Sequence, residues 1–480
     1  MSQFSTANGL VEDLNTLPLR ARLDKQLLHL ARSYGVPSLS ERRDEVRIGL
    51  QLAQEELAQL LGASRQRVNQ ELKCMEREEA IRIEPAGLVV RNRAMLMRIS
   101  KLTSTSRPQR NPGRYRLMSN FDHFIGTRAV TGSQAFDTEV LSAYLSRNLE
   151  GFRGPMTVEI FKGGQSNPTY KLLTPNASYV MRAKPGPVAM LLPSAHAVER
   201  EFKVMRGLQG SAVPVPKMYC LCEDESVIGR AFYVMEFVAG RVLWDQALPG
   251  MTNSQRGDIY DEMNRVISAL HSVKFAECGL ADYGRPGNYF DRQIGRWSKQ
   301  YAASVTRPIA EMDSLMQWLP LHIPASARDE SMVSIVHGDF RLDNLLFHPS
   351  EPRVLAVLDW ELSTLGHPLA DFSYHCMAWH IPPGTFRGIG GIDVASLGIP
   401  TEAEYIGRYC ERTGLGTPAA LKADWNFYLA YNLFRLAAIL QGIAKRVEAG
   451  TASSAQAVSS AAGAPVLAKL AWSFALQHQT

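Results

Sequence analysis

Two acidic motifs in the second half of this chain constrain its fold more than any other feature. The segment HGDFRLDN, residues 337–344, lies between two mostly apolar runs, and Asp359 directly follows another apolar run, Val354–Leu358. Short apolar runs bounded by polar turns predict buried strands whose ends deliver side chains to a common edge. Taken alone, the first motif fits a polar turn between buried strands as well as a catalytic loop.

The segment upstream of these motifs adds a glycine turn and a charge pair. VEIFKGGQSNPTYKLL predicts a strand, a turn at Gly163 and Gly164, and a second strand. Paired glycines let backbone amides approach a polyphosphate, although most such pairs are simple hairpin turns. Arg182 interrupts an otherwise apolar strand, and Glu201 in the following predicted helix is its candidate ion-pair partner.

The order of these features is typical of phosphoryl transfer. A kinase of the protein-kinase type requires a base near the attacking hydroxyl, together with an Asn and an Asp that hold Mg²⁺. Asp339 is predicted to be the base, and Asn344 and Asp359 are predicted to be the metal ligands. Arg182 is predicted to hold ATP phosphates with the glycine pair, and Glu201 to orient it. ATP and Mg²⁺ are therefore the expected cofactors, and Asn344 counts as catalytic as well.

From about Phe121 to its end, the chain resembles the aminoglycoside phosphotransferase family of small-molecule kinases. HGD stands where protein kinases have His-Arg-Asp, LDW stands where they have Asp-Phe-Gly, and no Ala-Pro-Glu segment follows. The resemblance implies an α+β, protein-kinase-like bilobal fold, with an N-lobe at 121–238 and a C-lobe at 239–480. It also implies that backbone groups of the hinge at Glu236 and Phe237 bind adenine.

Within that family, the chain is similar to the kinase domains associated with, or fused to, acyl-CoA dehydrogenases of the ten and eleven type. The segments GGQSNPTY, LLPSAHAVEREF and FYLAYNLFRLAAILQGIAKR carry the similarity. It implies phosphorylation of a hydroxyacyl-CoA hydroxyl, typically at the fourth carbon, and a structural role for Asp371 in bracing the catalytic loop. Arg435 and Arg446 could meet a CoA phosphate, or their helix could be salt-bridged to the kinase body.

The first quarter of the chain has a different character. Residues 1–116 carry 20 Lys and Arg against 13 Asp and Glu, a charge of +7, whereas the whole chain carries +5. The pattern predicts a winged helix-turn-helix over 1–99. Its predicted elements are a leucine-rich helix that stops at Gly35, a strand at EVRIGLQL, two helices around a Gly-Ala-Ser turn and a hairpin at IRIEPAGLVVRN. The segment resembles the Crp/Fnr DNA-binding domain. A polar linker is predicted at 100–120. The candidate DNA contacts are Ser64, Arg65, Gln66, Arg67 and Gln70.

The remaining composition excludes some classes and leaves alternatives open. No opening signal sequence and no uninterrupted membrane-spanning apolar stretch is visible, so we expect a cytoplasmic protein with no membrane partner. Six scattered cysteines without metal spacing predict reduced thiols. An antibiotic kinase and a metabolite-sensing transcription regulator with a kinase-like body remain alternatives to the hydroxyacyl-CoA kinase. The sequence does not define an oligomeric state.

Overall fold

The computed structural model divides the chain into two compact units, residues 1–116 and 117–480. The structure describes parts of the first unit, namely residues 19–20, 23–24, 26–27, 35–37, 46–48, 65–78, 80–84 and 87–91. In the second unit it describes residues 126–162, 167–185, 197–329, 331–383, 385–450 and 462–478. The boundary between the units falls inside the predicted linker.

The first unit contains a four-stranded antiparallel sheet and helical segments. Its elements are β1 (Gly35–Pro37), β2 (Val46–Ile48), α1 (Arg65–Arg77), β3 (Ile81–Glu84) and β4 (Gly87–Val90), with strand order β1-β2-β4-β3. The predicted strand near Val46, the second helix of the motif and the terminal hairpin are therefore present. Strand β1 was not predicted, because Gly35 was interpreted only as the end of a helix.

The core of this unit follows the predicted helical periodicity. Leu19, Leu23 and Leu27 recur at intervals of four residues, which places them on one face of a helix. They are buried with residues that α1 and the hairpin contribute, namely Val68, Leu72, Met75, Ala80, Ile81 and Val90. Because the apolar residues of α1 face inward, its polar residues lie on the outer face.

The second unit begins with an antiparallel sheet in the order β5-β6-β7-β8-β10-β9. Its elements are β5 (Thr127–Ala129), α2 (Thr138–Asn148), β6 (Thr157–Phe161), β7 (Thr169–Leu173), β8 (Ser178–Ala183), α3 (Val198–Leu208), β9 (Met218–Cys222) and β10 (Phe232–Glu236). Side chains alternate between its faces. Phe232 and Val234 pack on the side of α2, whereas Tyr233 and Met235 face the side of α3.

The remainder of the second unit is mostly helical, with two small sheets that carry the acidic motifs. The elements are β11 (Arg241–Val242), α4 (Asn253–His271), α5 (Tyr289–Ser304), α6 (Ala310–Leu321), β12 (Ser334–Val336), β13 (Leu345–Phe347), β14 (Val354–Val357), β15 (Thr364–Gly366), α7 (Pro368–Cys376), α8 (Glu402–Thr413), α9 (Pro418–Glu448) and α10 (Ala464–His478). The strands pair antiparallel as β11-β13-β14 and as β12-β15. The segment after β12 and the end of β14 meet where Leu358 N donates to Asn344 O (2.8 Å).

Helix α9 organises this helical region. It is long and apolar enough to satisfy a length-and-composition test for a membrane span, but 78% of its most apolar window is buried inside the protein. That degree of burial is typical of a core helix, and α5, α7 and α10 pack around it. All six cysteines are free thiols, as the sequence predicts.

Candidate active site

The loop after β12 presents Asp339 within a network of donors. Its Oδ1 accepts a hydrogen bond from the Tyr374 hydroxyl (2.5 Å), and its Oδ2 accepts one from Asn344 Nδ2 (3.0 Å). Arg341 Nη2 lies 3.2 Å from the same Oδ2. Donors on both oxygens fix the orientation of this side chain. The predicted base is therefore held in one orientation by three neighbouring side chains.

The backbone of this loop is fixed from two sides. Asp371 on α7 is buried and accepts hydrogen bonds from the amides of His337 (2.7 Å) and Gly338 (2.8 Å), while His271 Nε2 lies 3.3 Å from it. Burial opposes its ionisation, yet His271 and the His337 amide hold the pKa of Asp371 below its usual range. From α9, Arg435 Nη2 donates to the Gly338 carbonyl (2.5 Å).

Gly338 itself could not be another residue. Its φ is +80°, and a Cβ at this position would lie 2.7 Å from the carbonyl oxygen of Leu362. Both the left-handed backbone and the close approach require glycine. The Gly of the HGD motif is therefore explained by backbone conformation and packing.

The side chain of Asp359 meets the predicted strand cation. Strand periodicity directs Arg182 toward α3, where its Nε lies 3.0 Å from Glu201 Oε2, so the expected ion pair is present. Its Nη2 also lies 2.7 Å from Asp359 Oδ1 and 3.5 Å from Glu361 Oε2. Burial opposes the charge of Arg182, but Glu201 and Asp359 raise its pKa above the usual value.

Glu201 is held by two further donors. Asn167 Nδ2 donates to its Oε1 (2.8 Å), and the Tyr233 hydroxyl donates to its Oε2 (3.0 Å). Its side chain is 1% exposed, and burial raises the pKa of Glu201 although Arg182 and these two hydrogen bonds favour its charged form. The arrangement holds Arg182 rigidly above the strand-end carboxylate.

The donor set fits Mg²⁺ bound together with a substrate's phosphates. The amide NH₂ of Asn344 donates to the carbonyl and the carboxylate of Asp339, which leaves Asn344 Oδ1 as the atom that can bind a metal. Asp359 supplies a carboxylate, and despite burial Arg182 holds its pKa below the usual range. Among the described residues no group of three or more His, Cys, Asp and Glu forms a cage. Mg²⁺ is commonly held by one or two protein oxygens plus phosphates.

A half-open cavity lies beside the catalytic loop, and the roughly 310 Å³ of empty space within its outline includes open solvent. Two of its lining residues, Arg341 and Tyr374, are the ones that hold Asp339. Arg387, from the segment after α7, lines it as well and forms an ion pair with Asp343. The position of the cavity next to Asp339 makes it the candidate acceptor site.

Other predicted site residues are placed as follows. Glu236 ends β10, and its amide donates to Lys217 O (2.8 Å), so another backbone group of the hinge must serve any adenine contact. Phe237 lies beneath Lys171 Nζ, 4.2 Å from the ring centroid. Gly163 and Gly164 lie outside the described residues, and their phosphate role stays a prediction.

The candidate DNA contacts lie at the start of α1. The helix begins at Arg65, and the side chains of Gln66, Arg67 and Gln70 are exposed. Ser64 and the side chain of Arg65 lie outside the described residues. The exposed polar face is compatible with groove binding.

Sequence reasoning missed several members of this site. Arg341 and Asp343 lie within the quoted HGDFRLDN motif, and a charged pair between two catalytic positions was a usable signal. Tyr374 lies in the quoted LADFSY segment but carries no distinguishing pattern. The suggestion that Arg435 meets a CoA phosphate is wrong, because this side chain is buried against the catalytic loop and stacks on Tyr374 and Trp297. Arg446 is exposed, and its role stays a prediction.

Comparison with known families agrees with this geometry. The phosphotransferase enzyme family matches residues 157–422, and a Crp-like helix-turn-helix domain matches residues 21–99. The chain belongs to the phosphotransferase enzyme family and has its kinase-like fold, preceded by a Crp-like helix-turn-helix domain.

Individual relatives show which members of the family this chain is similar to. A crystal structure from Ralstonia eutropha, provisionally described as an aminoglycoside phosphotransferase, is 61% identical with a TM-score of 0.65, covering 72% of this chain and 99% of that one. Mouse acyl-CoA dehydrogenase family member 10 is 47% identical over 73% of this chain and 32% of its own length. Human family member 11 is 41% identical over 68% and 41%, respectively. The chain thus spans less than half the length of these two curated relatives.

Proposed function

We propose that this chain transfers the γ-phosphoryl group of ATP to the hydroxyl of a small molecule, and that a hydroxyacyl-CoA is the acceptor. The observation that carries the reaction is the proximity of the three predicted residues. Asn344 bonds to Asp339, and the Leu358 amide bonds to the Asn344 carbonyl, which brings the adjacent Asp359 and its partner Arg182 to the same loop. These residues match the requirements of phosphoryl transfer, in which positioning and charge stabilisation supply most of the catalysis.

Each residue has a defined part in this reaction. Asp339 accepts the hydrogen bond of the attacking hydroxyl and takes its proton as the new oxygen–phosphorus bond forms. The bond between the γ-phosphorus and the β–γ bridging oxygen of ATP breaks in the same step, and ADP leaves. Arg182 holds phosphate oxygens, since its guanidinium can bind them bidentately. Asn344 and Asp359 would hold Mg²⁺, which when bound supplies charge neutralisation at the phosphates.

The acyl-CoA acceptor is supported by the relatives and by the cavity. Two curated relatives are named for acyl-CoA dehydrogenation, and their matching portions are over 40% identical to this chain. Among the described residues that line the cavity, none is acidic and two are arginines, Arg341 and Arg387. A polycationic aminoglycoside needs carboxylates, so this lining favours an uncharged or anionic acceptor over an antibiotic.

A coupled assay of ADP release tests the proposal directly. Purified protein with Mg-ATP should phosphorylate a 4-hydroxyacyl-CoA faster than the free hydroxy acid, and faster than kanamycin. The product is identified by mass spectrometry. Faster turnover of kanamycin would support the antibiotic kinase instead. ADP release without a phosphorylated product would reject both the hydroxyacyl-CoA kinase and the antibiotic kinase.

We also propose that the first unit binds DNA. The Crp-like domain match, the +7 charge of residues 1–116 and the exposed polar residues Gln66, Arg67 and Gln70 support it. A gel-shift assay on genomic fragments, with and without acceptor, tests both binding and the metabolite-sensing alternative. Binding that is absent, or equal for the protein and a variant in which Gln66, Arg67 and Gln70 are all alanine, would reject it.

A further inference from the structure

The residues that line the cavity beside the catalytic loop include two chemically different sets. Met377, Ile381 and Phe386 form the apolar set, here called the apolar wall, and Arg341 and Arg387 form the cationic set. An apolar wall favours alkyl carbon, and a guanidinium favours a carboxylate or carbonyl oxygen. The combination is suited to a short acyl group, which carries both features within a few bonds.

The two arginines are linked to the catalytic base through alternating charges. Arg341 lies between Asp339 Oδ2 (3.2 Å) and Asp343 Oδ1 (3.4 Å), and Asp343 in turn pairs with Arg387. Asp343 is 4% exposed and divides its charge between two guanidinium groups. Arg341 has two carboxylate partners in this chain of charges. Arg387 shares the Asp343 carboxylate with Arg341, and its guanidinium lies over the Trp244 ring (5.6 Å to the centroid). Of the two cations it is therefore the less fully neutralised by carboxylates of the described residues, which suits it to a ligand oxygen.

The backbone at Arg387, whose side chain lines the cavity, has an unfavourable conformation. Phe386 and Arg387 both have positive φ, +33° and +59°, which costs non-glycine residues energy. The adjacent Gly388 packs so closely on the Ile381 carbonyl that no side chain could be accommodated there. Strain of this kind is retained where the surrounding structure over-determines it, often at ligand sites.

We propose that Arg387 is the specificity-determining residue that binds the acyl oxygen of the acceptor, while the apolar wall covers its carbon chain. The acyl oxygen is the carboxylate of a free hydroxy acid or the carbonyl of its thioester. The acceptor hydroxyl then faces Asp339, which lies one arginine and one carboxylate away along the charged chain. This inference rests on the proposed function, because it places the acceptor of that reaction in this cavity.

Variants of Arg387 with matched acceptors test the inference. The acceptors are a 4-hydroxy acid, its CoA thioester and the corresponding neutral 1,4-diol. The variants are Arg387→Gln, Arg387→Lys and, as a control, Arg353→Gln, whose side chain is 56% exposed and pairs with Glu351. Mg-ATP affinity, measured by calorimetry without acceptor, verifies that each variant is folded.

The expected result is a selective change in KM. Loss of a charge-assisted hydrogen bond should raise the KM for the acid or the thioester about tenfold or more in Arg387→Gln. The KM for the diol should change little, Arg387→Lys should recover part of the loss, and Arg353→Gln should resemble the wild type. An effect confined to the acid identifies a carboxylate ligand, and one confined to the thioester identifies its carbonyl.

Other outcomes would overturn the inference. An unchanged KM in Arg387→Gln, or an equal loss for all three acceptors through kcat, would show that Arg387 only positions Asp343 and the catalytic loop. Wild-type protein that phosphorylates none of the three acceptors would reject the proposed function and this inference together. The two failures are therefore distinguishable from the wild-type rates alone.

Discussion

Replacing Asp371 with asparagine should loosen the catalytic loop and destabilise the second unit. The two oxygens of the Asp371 carboxylate accept hydrogen bonds from the backbone amides of His337 and Gly338. Asparagine keeps one acceptor and turns an NH₂ group toward the other amide. The lost charge-assisted bond costs about 1.5–3 kcal/mol, and the buried amide left without a partner costs about 1–3 kcal/mol more.

That loss converts to a measurable shift in melting temperature. With an unfolding entropy of about 2.1 cal/mol/K per residue, a unit spanning residues 117–480 should melt about 3–8 °C lower in Asp371→Asn. Turnover should also fall, by roughly tenfold or more, because the loop that carries Asp339 loses its alignment. Circular dichroism and the ADP-release assay measure the two effects.

The pH dependence of the same variant has a defined sign. Because the folded pKa of Asp371 is depressed, its stabilisation is complete above its unfolded pKa of about 3.9 and is lost as pH falls toward the folded value. The stability difference between wild type and Asp371→Asn should therefore be constant from about pH 5 to pH 8 and narrow below about pH 4. Asp282→Asn, at an exposed ion pair with Lys203, is the matched control and should change neither property. An Asp371→Asn protein that melts and turns over like the wild type would refute the reasoning.

Three further predictions test other parts of the site. Asp339→Asn should lower phosphoryl transfer at least about a hundredfold while Mg-ATP affinity stays close to wild type, since Asp339 acts on the acceptor; near-normal turnover would mean that the base is assigned wrongly. Asp359→Ala should abolish the Mg²⁺-dependent part of nucleotide binding in calorimetry, and an unchanged affinity would remove its role as a ligand. A fragment of residues 118–480 should be soluble and match the rate of the whole chain, because the division at residue 116 leaves the kinase with its own core; aggregation or a large loss of rate would show that the first unit is needed for the enzyme's fold.

The sequence was sufficient where local pattern determines position. The period of two in β8 directs Arg182 to the α3 side, and one helical turn from its start α3 presents Glu201, so their ion pair was predictable. The loop that carries the HGD motif and the strand that precedes Asp359 were also predictable from local sequence. These features depend on a few neighbouring residues and on known alternation.

Contacts made between distant segments could not be predicted in the same way. Arg435 lies within an apolar stretch of α9, and nothing in its surroundings indicates that this face covers Gly338, 97 residues earlier. Arg387 lines the cavity from a segment with an unusual backbone conformation, which the local sequence does not predict. Strand β1 has three residues, and its pairing with β2 depends on tertiary context rather than on propensity.

In the proposed reaction, the ion pair between Arg182 and Asp359 makes nucleotide binding an exchange of counter-ions. The cation has left bulk water and has acidic partners before any phosphate arrives, so ATP replaces one anion with another rather than paying the full desolvation of a charge. The affinity that ATP gains from Arg182 is then the difference between two attractions. It follows that Asp359→Ala should bind ADP more tightly than the wild type when Mg²⁺ is absent, although the same change abolishes binding through the metal.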